Sequence, residues 1–445
     1  MSVMLPLKQR MADIEHYYED ILLSSQPILE SALKAVVKEW APACGLNLRS
    51  QRVTVDIMKK STNSGNPYFT KRRDVVQQTV PAHLTIRNTR LMQHLPSGDW
   101  ESCAVLGWRG QEGGYSKEDV KQRVVWMFPF GVNVRELQCY QPGIESAQRY
   151  GLVPAWVSMD AVDRVVTSMF DSIEPNQLVV CTDFSKFDQH FNDSMQVGAE
   201  TILRGILASN TTNEDWLRTV FPIKYMIPLM YDYGMVKFGR HGMGSGSGGT
   251  NFDETLAHRA LQYEAAILNH ARLNPNSQCL GDDGVLTYPG ITVEDVVKAY
   301  STHGQEMNHS KQYASTQDCV YLRRWHHTNY RQSGICVGVY STMRALGRLR
   351  YLERFQNPEW WDEKMVALRQ LSILENVKYH PLKDQFVDFC MKRDKYRLGI
   401  DIPGFLDDIT HITAEAIDHM PDFLGYTKSM QPNKLPAYGI SNWWI

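Results

Sequence analysis

The sequence predicts an α+β fold in which a small sheet, covered by helices on one face, lies between two larger regions. Three observations support this prediction. Residues 178–181 form an apolar run suited to a buried strand, residues 251–273 carry an apolar stripe at helical spacing, and residues 278–287 contain two short apolar runs around a tight acidic turn. With 445 residues, the chain can bury a large core and is expected to contain about three subdomains.

The remaining elements follow from periodicity along the chain. Residues 11–40 have helical periodicity that breaks at 24–27, and a further helix is expected near 293–304. Residues 60–115 are rich in glycine, serine, threonine, asparagine and basic groups, which predicts a region dominated by loops. Helical patterns dominate after about residue 335 and are interrupted at three prolines, namely Pro358, Pro381 and Pro403.

The composition is that of a globular protein, with 43% hydrophobic residues, 22% charged residues and a net charge of −2. It excludes a uniformly basic protein that coats nucleic acid. Basic residues nevertheless cluster at 59–73 and 323–354, whereas residues 401–422 contain no lysine or arginine. Local basic surfaces on a nearly neutral protein suit the attraction of a polyanion into a channel. Each cluster taken singly could instead be a solvated face.

The eight cysteines show no paired spacing, which predicts reduced thiols in a cytosolic setting. The first residues lack a charged region followed by a sustained apolar stretch, and no apolar run approaches the length of a membrane span. The protein is therefore expected to be soluble and not exported.

Three carboxylates are expected at one edge of the predicted sheet. Asp183 follows the strand at 178–181, and Asp282 and Asp283 lie in the turn of the hairpin, where Gly284 suits a tight turn. Clustered carboxylates repel one another unless cations bind, and Mg²⁺ prefers oxygen ligands. Two divalent cations can stabilise the attacking and leaving oxygens in an in-line attack on a triphosphate. Alternatively, Asp183 caps a turn and the acidic pair is an ordinary hairpin tip.

Two further segments support chemistry on a nucleotide. Asp188 follows Asp183 by five residues, so one carboxylate can reach a metal while the other reaches a substrate hydroxyl. The glycine-rich residues 242–250 lead directly into a helix whose start has a predicted capping box of Asn251 and Glu254. Such a loop offers backbone freedom and amide donors to a sugar or a phosphate. A flexible linker is the alternative, but the helix begins immediately.

In order and spacing, these segments resemble motifs of viral RNA-dependent RNA polymerases, particularly those of double-stranded-RNA viruses such as picobirnaviruses and partitiviruses. Three matches carry the catalytic motifs A, B and C, namely residues 183–188, 242–250 and 281–283. Four more matches resemble motif G, which guides the template, the basic motif F, motif D and the hairpin of motif E, at residues 61–68, 121–123, 307–311 and 321–324. The residues of motifs A and B are most similar to those of picobirnavirus polymerases.

The resemblance implies a closed right hand, with a small antiparallel sheet in the palm and a helical thumb. The implied divisions are fingers at 1–175 with the fingertip motifs G and F, palm at 176–189, a fingers insertion at 190–235, palm at 236–330, and the thumb with a C-terminal tail at 331–445.

The resemblance also implies roles for individual residues. Asp183, Asp282 and Asp283 would bind two Mg²⁺ ions, for which Mn²⁺ could substitute, and Lys311 would be a general acid near the leaving pyrophosphate or else a solvated lysine. Contacts to the incoming nucleotide are implied for Lys121, Arg123, Asp188, Ser245, Thr250 and Asn251. Contacts to RNA are implied for Ser64, Gly65, Lys71, Arg72, Arg323 and Arg324.

One position departs from the resemblance. Many positive-strand viral polymerases have asparagine in a ribose-sensing network at the position of Glu254. Since Glu254 is also the capping-box partner of Asn251, we expect ribose sensing to depend on Asp188, Ser245 and Asn251.

The implied function is that of an RNA-dependent RNA polymerase that replicates and transcribes a viral RNA genome. Its implied partners are template RNA, nascent RNA, NTPs and a viral capsid protein. The protein is expected to be a monomer without membrane contact, in the host cytoplasm and inside the virion. The alternatives are a reverse transcriptase-like palm polymerase and a catalytically inactive RNA-binding replicase subunit. A reverse transcriptase usually has an aromatic residue ahead of the aspartate pair, and an inactive subunit need not keep the acidic and basic residues together.

Overall fold

The computed structural model describes residues 4–110, 122–352 and 356–419. The helices of these residues are α1 (Leu7–Glu19), α2 (Glu30–Glu39), α3 (Gln51–Ile57), α4 (Val76–Thr79), α5 (Phe130–Tyr150), α6 (Pro154–Val157), α7 (Met159–Ser172), α8 (Asp193–Ile206), α9 (Thr211–Thr219), α10 (Thr250–Leu268), α11 (Val293–Ser301), α12 (Thr342–Arg350), α13 (Glu363–Leu374), α14 (Lys383–Met391) and α15 (Ile409–His419). The strands are β1 (His83–Arg87), β2 (Arg90–Leu95), β3 (Gly98–Ser102), β4 (Ala104–Gly110), β5 (Gln122–Met127), β6 (Val179–Thr182), β7 (Leu229–Asp232), β8 (Met235–Lys237), β9 (Gln278–Leu280), β10 (Asp283–Leu286), β11 (Tyr313–Ser315), β12 (Asp318–Tyr321), β13 (Arg324–His327) and β14 (Val339–Tyr340).

The sheet that was predicted around the hairpin has four antiparallel strands in the order β11-β6-β10-β9. Helix α10 packs on β9 and contacts α2, α8 and α11. The predicted strand, hairpin and two helices are all present. The prediction that Gly284 forms the tight turn was wrong. Gly281 has the positive φ of 57°, while Gly284 lies within β10.

The predicted capping box at the start of α10 is absent. Gly249 is the N-cap residue, and no side chain of the helix itself caps the first turn. The Asn251 amide oxygen instead accepts a hydrogen bond from Trp156 Nε1 at 2.8 Å. Glu254 is buried at 6% exposure, and its carboxyl contacts Asp188. Both side chains therefore face tertiary neighbours, which the local sequence pattern did not contain.

The loop-dominated prediction for residues 60–115 was wrong for its second half. Strands β1, β2 and β3 form an antiparallel sheet, and β4 pairs with β5 and β7 in a second sheet with β8. In β2, Leu91, Gln93 and Leu95 are buried, and the residues between them are more exposed. The exposed faces are polar and β3 is mostly exposed, so the apolar signal of these strands is weak.

The molecule has one large core and several smaller ones. The large core joins α1 and α2 to α5, α8, α10 and the sheet around β6, and it includes Trp40, Trp126, Trp156 and Trp216. The helices after residue 340 pack around a separate core that includes Leu368, Leu371 and Leu374. All eight cysteines are free thiols, as predicted. No helix in the described ranges combines the length and apolar character needed to cross a membrane.

Candidate active site

The sheet brings the three predicted carboxylates together at one edge. Gly284 of β10 pairs with Thr182 of β6, so Asp283 and Asp183 lie at adjacent ends of neighbouring antiparallel strands. Asp282 precedes β10 in the turn that follows β9. Asp183 and Asp282 are exposed, whereas Asp283 is partly buried.

Helix α10 holds the turn that carries the aspartate pair. Thr255 Oγ1 accepts a hydrogen bond from the Gly281 amide at 2.9 Å, and the Nδ1 of buried His258 bonds the Gly281 carbonyl at 2.8 Å. Burial lowers the pKa of His258 to about 4, so the ring is neutral and its Nδ1–H donates to that carbonyl. Sequence reasoning missed both residues, and only their position on the helix after the glycine-rich loop could have indicated them.

The carboxylates have an excess of negative charge. Although the Asp282 side chain reaches the surface, the protein around it reduces its hydration, and this effect with the charges of Asp188 and Asp183 raises its pKa, while the charge of Arg123 lowers it. Burial raises the pKa of Asp283 to about 7, although the Leu322 amide donates to its carboxylate at 2.8 Å. Repulsion of this kind is what a bound cation relieves.

The donor set fits a hard divalent cation, because it consists of carboxylate oxygens. Within residues 4–110, 122–352 and 356–419, however, no three acidic, histidine or cysteine side chains are arranged closely enough to hold a metal ion by themselves. The carboxylates would have to draw closer together around an ion, or share it with oxygens of a substrate.

Gln312 fixes the backbone at Asp183. The Asp183 amide donates to Gln312 Oε1 at 2.8 Å, and Gln312 Nε2 donates to the Asp183 carbonyl at 2.8 Å. Lys311, the predicted general acid, directly precedes Gln312 and is exposed. The match to motif D therefore lies beside the match to motif A. No role was predicted for Gln312 from the sequence, because the segment that resembles motif D ends at Lys311.

The glycine-rich loop is tightly packed, which argues against the flexible-linker alternative. A Cβ atom at Gly246 would lie 1.6 Å from the carbonyl oxygen of Trp126 in β5. Ser245 is held on the same strand, since its Oγ accepts a hydrogen bond from the Trp126 amide at 3.3 Å. The Thr250 hydroxyl donates within the loop to the Gly244 carbonyl at 3.2 Å.

Of the two basic residues predicted to hold the triphosphate, Lys121 lies outside the described residues. Arg123 is exposed on β5, the strand against which the glycine-rich loop packs. Its charge lowers the pKa of Asp282, which places its guanidinium within electrostatic reach of the carboxylates.

The residues that matched motif G have mainly internal contacts. Ser64 is 1% exposed, its hydroxyl accepts a hydrogen bond from the Thr70 amide, and its carbonyl accepts one from Phe130. Gly65 has φ of 60°, and a Cβ there would lie 2.5 Å from the Phe128 carbonyl oxygen. These two residues shape the loop, and exposed side chains such as Asn63 and Phe69 lie at its surface.

The basic residues of the same segment differ in their surroundings. Arg72 donates to Asn133 Oδ1 at 2.7 Å, and burial lowers the pKa of its guanidinium to about 10. The Lys71 ammonium lies 4.1 Å from the centre of the Trp360 ring, a contact that joins this segment to the region before α13. The expectation that Arg72 contacts RNA does not fit its internal bonds.

The two arginines that matched motif E also differ. Arg323 is exposed in the turn between β12 and β13, and its charge lowers the pKa of Asp283. Arg324 is 6% exposed, and its guanidinium forms two hydrogen bonds to Asp163 at 2.7 and 3.1 Å. Arg324 therefore forms a buried ion pair with Asp163, which corrects the expectation that Arg324 contacts RNA.

Paired carboxylates on a small antiparallel palm sheet, beside a glycine-rich loop and an exposed arginine, define a template-directed nucleic-acid polymerase. The family model described as viral RNA-dependent RNA polymerase matches residues 45–335, and the chain belongs to this family. It is an RNA-directed RNA polymerase, which binds RNA and NTPs and, as a member of this family, depends on metal ions.

The relatives identify the picobirnavirus type. The "Potential RNA-dependent RNA polymerase" of human picobirnavirus (strain Human/Thailand/Hy005102/-) is 61% identical over 449 residues, which cover 100% of this chain and 84% of that protein. A crystal structure of the RNA-dependent RNA polymerase of a human picobirnavirus matches with a TM-score of 0.92 and 60% identity, covering 100% of this chain and 83% of that one. A crystal structure of the insertion loop deletion mutant of such a polymerase matches with a TM-score of 0.91 and 61% identity. The match covers 94% of this chain and 82% of the mutant chain. The predicted family and the α+β polymerase fold are confirmed.

Proposed function

We propose that this polymerase replicates and transcribes a viral RNA genome by two-metal nucleotidyl transfer, with Asp183, Asp282 and Asp283 as the metal ligands. The observation that carries the proposal is the pairing of β6 with β10, which places these carboxylates at one sheet edge within electrostatic reach of Arg123. Two Mg²⁺ ions, or Mn²⁺ in their place, would stabilise charge on the attacking and leaving oxygens.

The chain's own residues bind and orient the reactants. In the transfer, the 3′-hydroxyl of the RNA loses its proton to water and its oxygen bonds to the α-phosphorus, while the bond from this phosphorus to the bridging oxygen breaks and pyrophosphate leaves. Arg123, together with Lys121, holds the triphosphate through charge. Asp188 and Ser245 face the ribose, with Thr250 and Asn251 supporting the loop beside it. Lys311 donates a proton to the leaving pyrophosphate.

RNA is held on both sides of the carboxylates. We assign the template side to the loop at 61–73, whose buried Ser64 and Gly65 shape it and whose Lys71 carries charge. Arg323 contacts the priming end of the product. The proposed divisions are fingers at 1–175 and 190–235, palm at 176–189 and 236–330, and a thumb with a tail at 331–445. The polymerase acts as a monomer without membrane contact, in the host cytoplasm and in the virion beside a capsid protein.

Incorporation of labelled nucleotides on an RNA template tests this function. We expect NTPs to be incorporated and dNTPs to be strongly disfavoured, and we expect Asp282→Asn to lose roughly a thousandfold in rate while it retains RNA binding. Asp215→Asn, on the exposed surface of α9, is the matched control and should retain activity.

The outcomes separate the alternatives. Preferential incorporation of dNTPs would indicate a reverse transcriptase. RNA binding without any incorporation would indicate an inactive replicase subunit. An Asp282→Asn enzyme that extends RNA at the rate of the wild type would overturn the assignment of the metal ligands.

A further inference from the structure

The start of the glycine-rich loop is held by the helical turn at Phe221–Tyr225. The Lys224 carbonyl accepts a hydrogen bond from the Gly244 amide at 3.0 Å, and the Tyr225 carbonyl accepts one from the His241 amide at 2.9 Å. A Cβ atom at Gly244 would lie 2.9 Å from the Lys224 carbonyl oxygen, so only glycine allows this close approach. The position of the loop start therefore depends on this turn.

The end of the loop is held by Asp253 and Tyr140. The Asp253 amide donates to the Gly249 carbonyl at 2.9 Å in the first turn of α10. A Cβ atom at Gly249 would lie 2.3 Å from the Tyr140 ring, and the Tyr140 hydroxyl donates to Asp253 Oδ1 at 2.9 Å. The last glycine of the loop therefore lies against two residues that bond each other.

A buried ion pair joins the residues at the two ends of the loop. Lys224 Nζ lies 3.0 Å from Asp253 Oδ2, and both side chains are completely buried. The Tyr225 hydroxyl donates to the same oxygen at 2.6 Å. Burial and the charge of Asp253 raise the pKa of Tyr140 and of Tyr225 well above the usual range, so both phenols remain donors. The Lys224 ammonium also donates to the Phe221 carbonyl at 2.6 Å and lies 3.7 Å from the centre of the Phe221 ring.

The energetics of such a pair favour a role in geometry over a role in stability. The cost of taking two charges out of water offsets most of their attraction, and apolar residues of similar volume often stabilise a fold equally well. A buried pair nevertheless fixes the distance between its partners, because separating them leaves an uncompensated charge. Here the partners are the residues that hold the start and the end of one loop, so the separation of the loop ends depends on the pair.

We propose that Lys224 and Asp253 are positioning residues for nucleotide binding, which set the shape of residues 242–250 by holding the two ends of this loop together. The inference rests on the proposed function, in which Ser245 of the loop faces the ribose of the nucleotide. Without the ion pair the ends of the loop would separate while the fold persists. The loss would then fall on the binding of NTP and leave RNA binding intact.

A paired substitution separates positioning from the cost of a buried charge. Lys224→Met combined with Asp253→Asn removes both charges and keeps the side-chain volumes, whereas either substitution alone leaves one buried charge unpaired. Glu264→Gln combined with His303→Gln is the matched control, because it removes another buried acid–base pair from the far end of α10.

The experiment measures kcat and KM for NTP on one primed RNA template, the affinity for RNA, and the melting temperature. We expect the paired Lys224 and Asp253 variant to raise the KM about tenfold, with kcat and RNA affinity within about threefold of the wild type. Its melting temperature should stay within about 5 °C of the wild type, and each single variant should melt lower. The control pair should keep the KM within about twofold. In a Ser245→Ala background the further rise in KM should shrink below about threefold, because both changes act through the same loop.

An unchanged KM in the folded paired variant, or an equal rise in the control pair, would overturn the proposal. A tenfold rise that persists undiminished in the Ser245→Ala background would overturn it as well. If the paired variant does not fold, Tyr140→Phe combined with Tyr225→Phe decides, because it removes two donors to Asp253 and keeps both charges. A raised KM in that variant supports the proposal, and an unchanged KM contradicts it. A wild-type enzyme that incorporates no NTP would instead refute the proposed function, so the two failures can be told apart.

Discussion

The carboxylate of Glu136, on α5, accepts a hydrogen bond from the Gly248 amide at 3.2 Å, at the residue that precedes the N-cap position of α10. The same carboxylate accepts hydrogen bonds from the Ser247 hydroxyl and from Asn133 Nδ2. An acidic group near a helix N-terminus is favourable, and Glu136 lies beside the loop that leads into α10. It also anchors the glycine-rich loop to α5.

Glu136→Ala should therefore destabilise the protein by about 2 to 4 kcal/mol, because it leaves the loop donors buried without an acceptor. Urea unfolding measures the loss. The control is Glu145→Ala on the same helix, which removes a partly exposed ion pair with Arg49 and should cost about 1 kcal/mol. Equal losses in the two variants would contradict the role of Glu136 as the anchor of the glycine-rich loop.

Arg123→Ala should raise the KM for NTPs about tenfold while it changes the affinity for RNA less than about twofold. The reason is the position of Arg123, whose charge acts on Asp282. Arg109→Ala removes the residue paired with it across β4 and β5, and it serves as the control. If RNA binding is lost and the response to NTP is unchanged, Arg123 belongs to the template channel.

Asp283→Asn should stabilise the metal-free protein, and more so at pH 8 than at pH 5. The pKa of Asp283 is about 7 in the folded protein, and in the unfolded chain it is about 3.9. Between these values the unfolded chain releases a proton that the folded protein keeps, so the contribution of Asp283 to stability falls as the pH rises.

The expected gain at pH 8 is about 1 to 3 kcal/mol, measured by urea unfolding in the presence of a chelator. Asp56→Asn, on the exposed surface of α3, should show no such dependence on pH. A gain that is the same at both pH values would disprove the linkage.

Trp360→Ala should shorten the lifetime of the RNA complex about two- to fivefold, with a larger effect on release than on association. The centre of the Trp360 ring lies 4.1 Å from the Lys71 ammonium and 5.7 Å from the Arg73 guanidinium. Dissociation of a labelled template, chased with unlabelled RNA, measures the lifetime. Trp100→Ala on β3 is the control, and a similar change in both variants would rule out a specific contact.

The sequence predicted those parts of the site that depend on local order along the chain. The strand before Asp183, the acidic hairpin and the helix after the glycine-rich loop each have a pattern within a few residues. The capping box failed because the Asn251 side chain bonds Trp156, which is distant in the sequence. Nothing local distinguishes buried Arg324 from exposed Arg323, since only the fold supplies Asp163. The role of Gln312 was not predicted for the same reason, because its partner is the backbone of Asp183, which is distant in the sequence.

The contact of Lys71 with Trp360 couples the loop at 61–73 to the region before α13, although the two lie far apart in the sequence. The two segments cannot move apart without losing the contact between the ammonium and the ring. A substitution at either residue should therefore release both segments together rather than one alone.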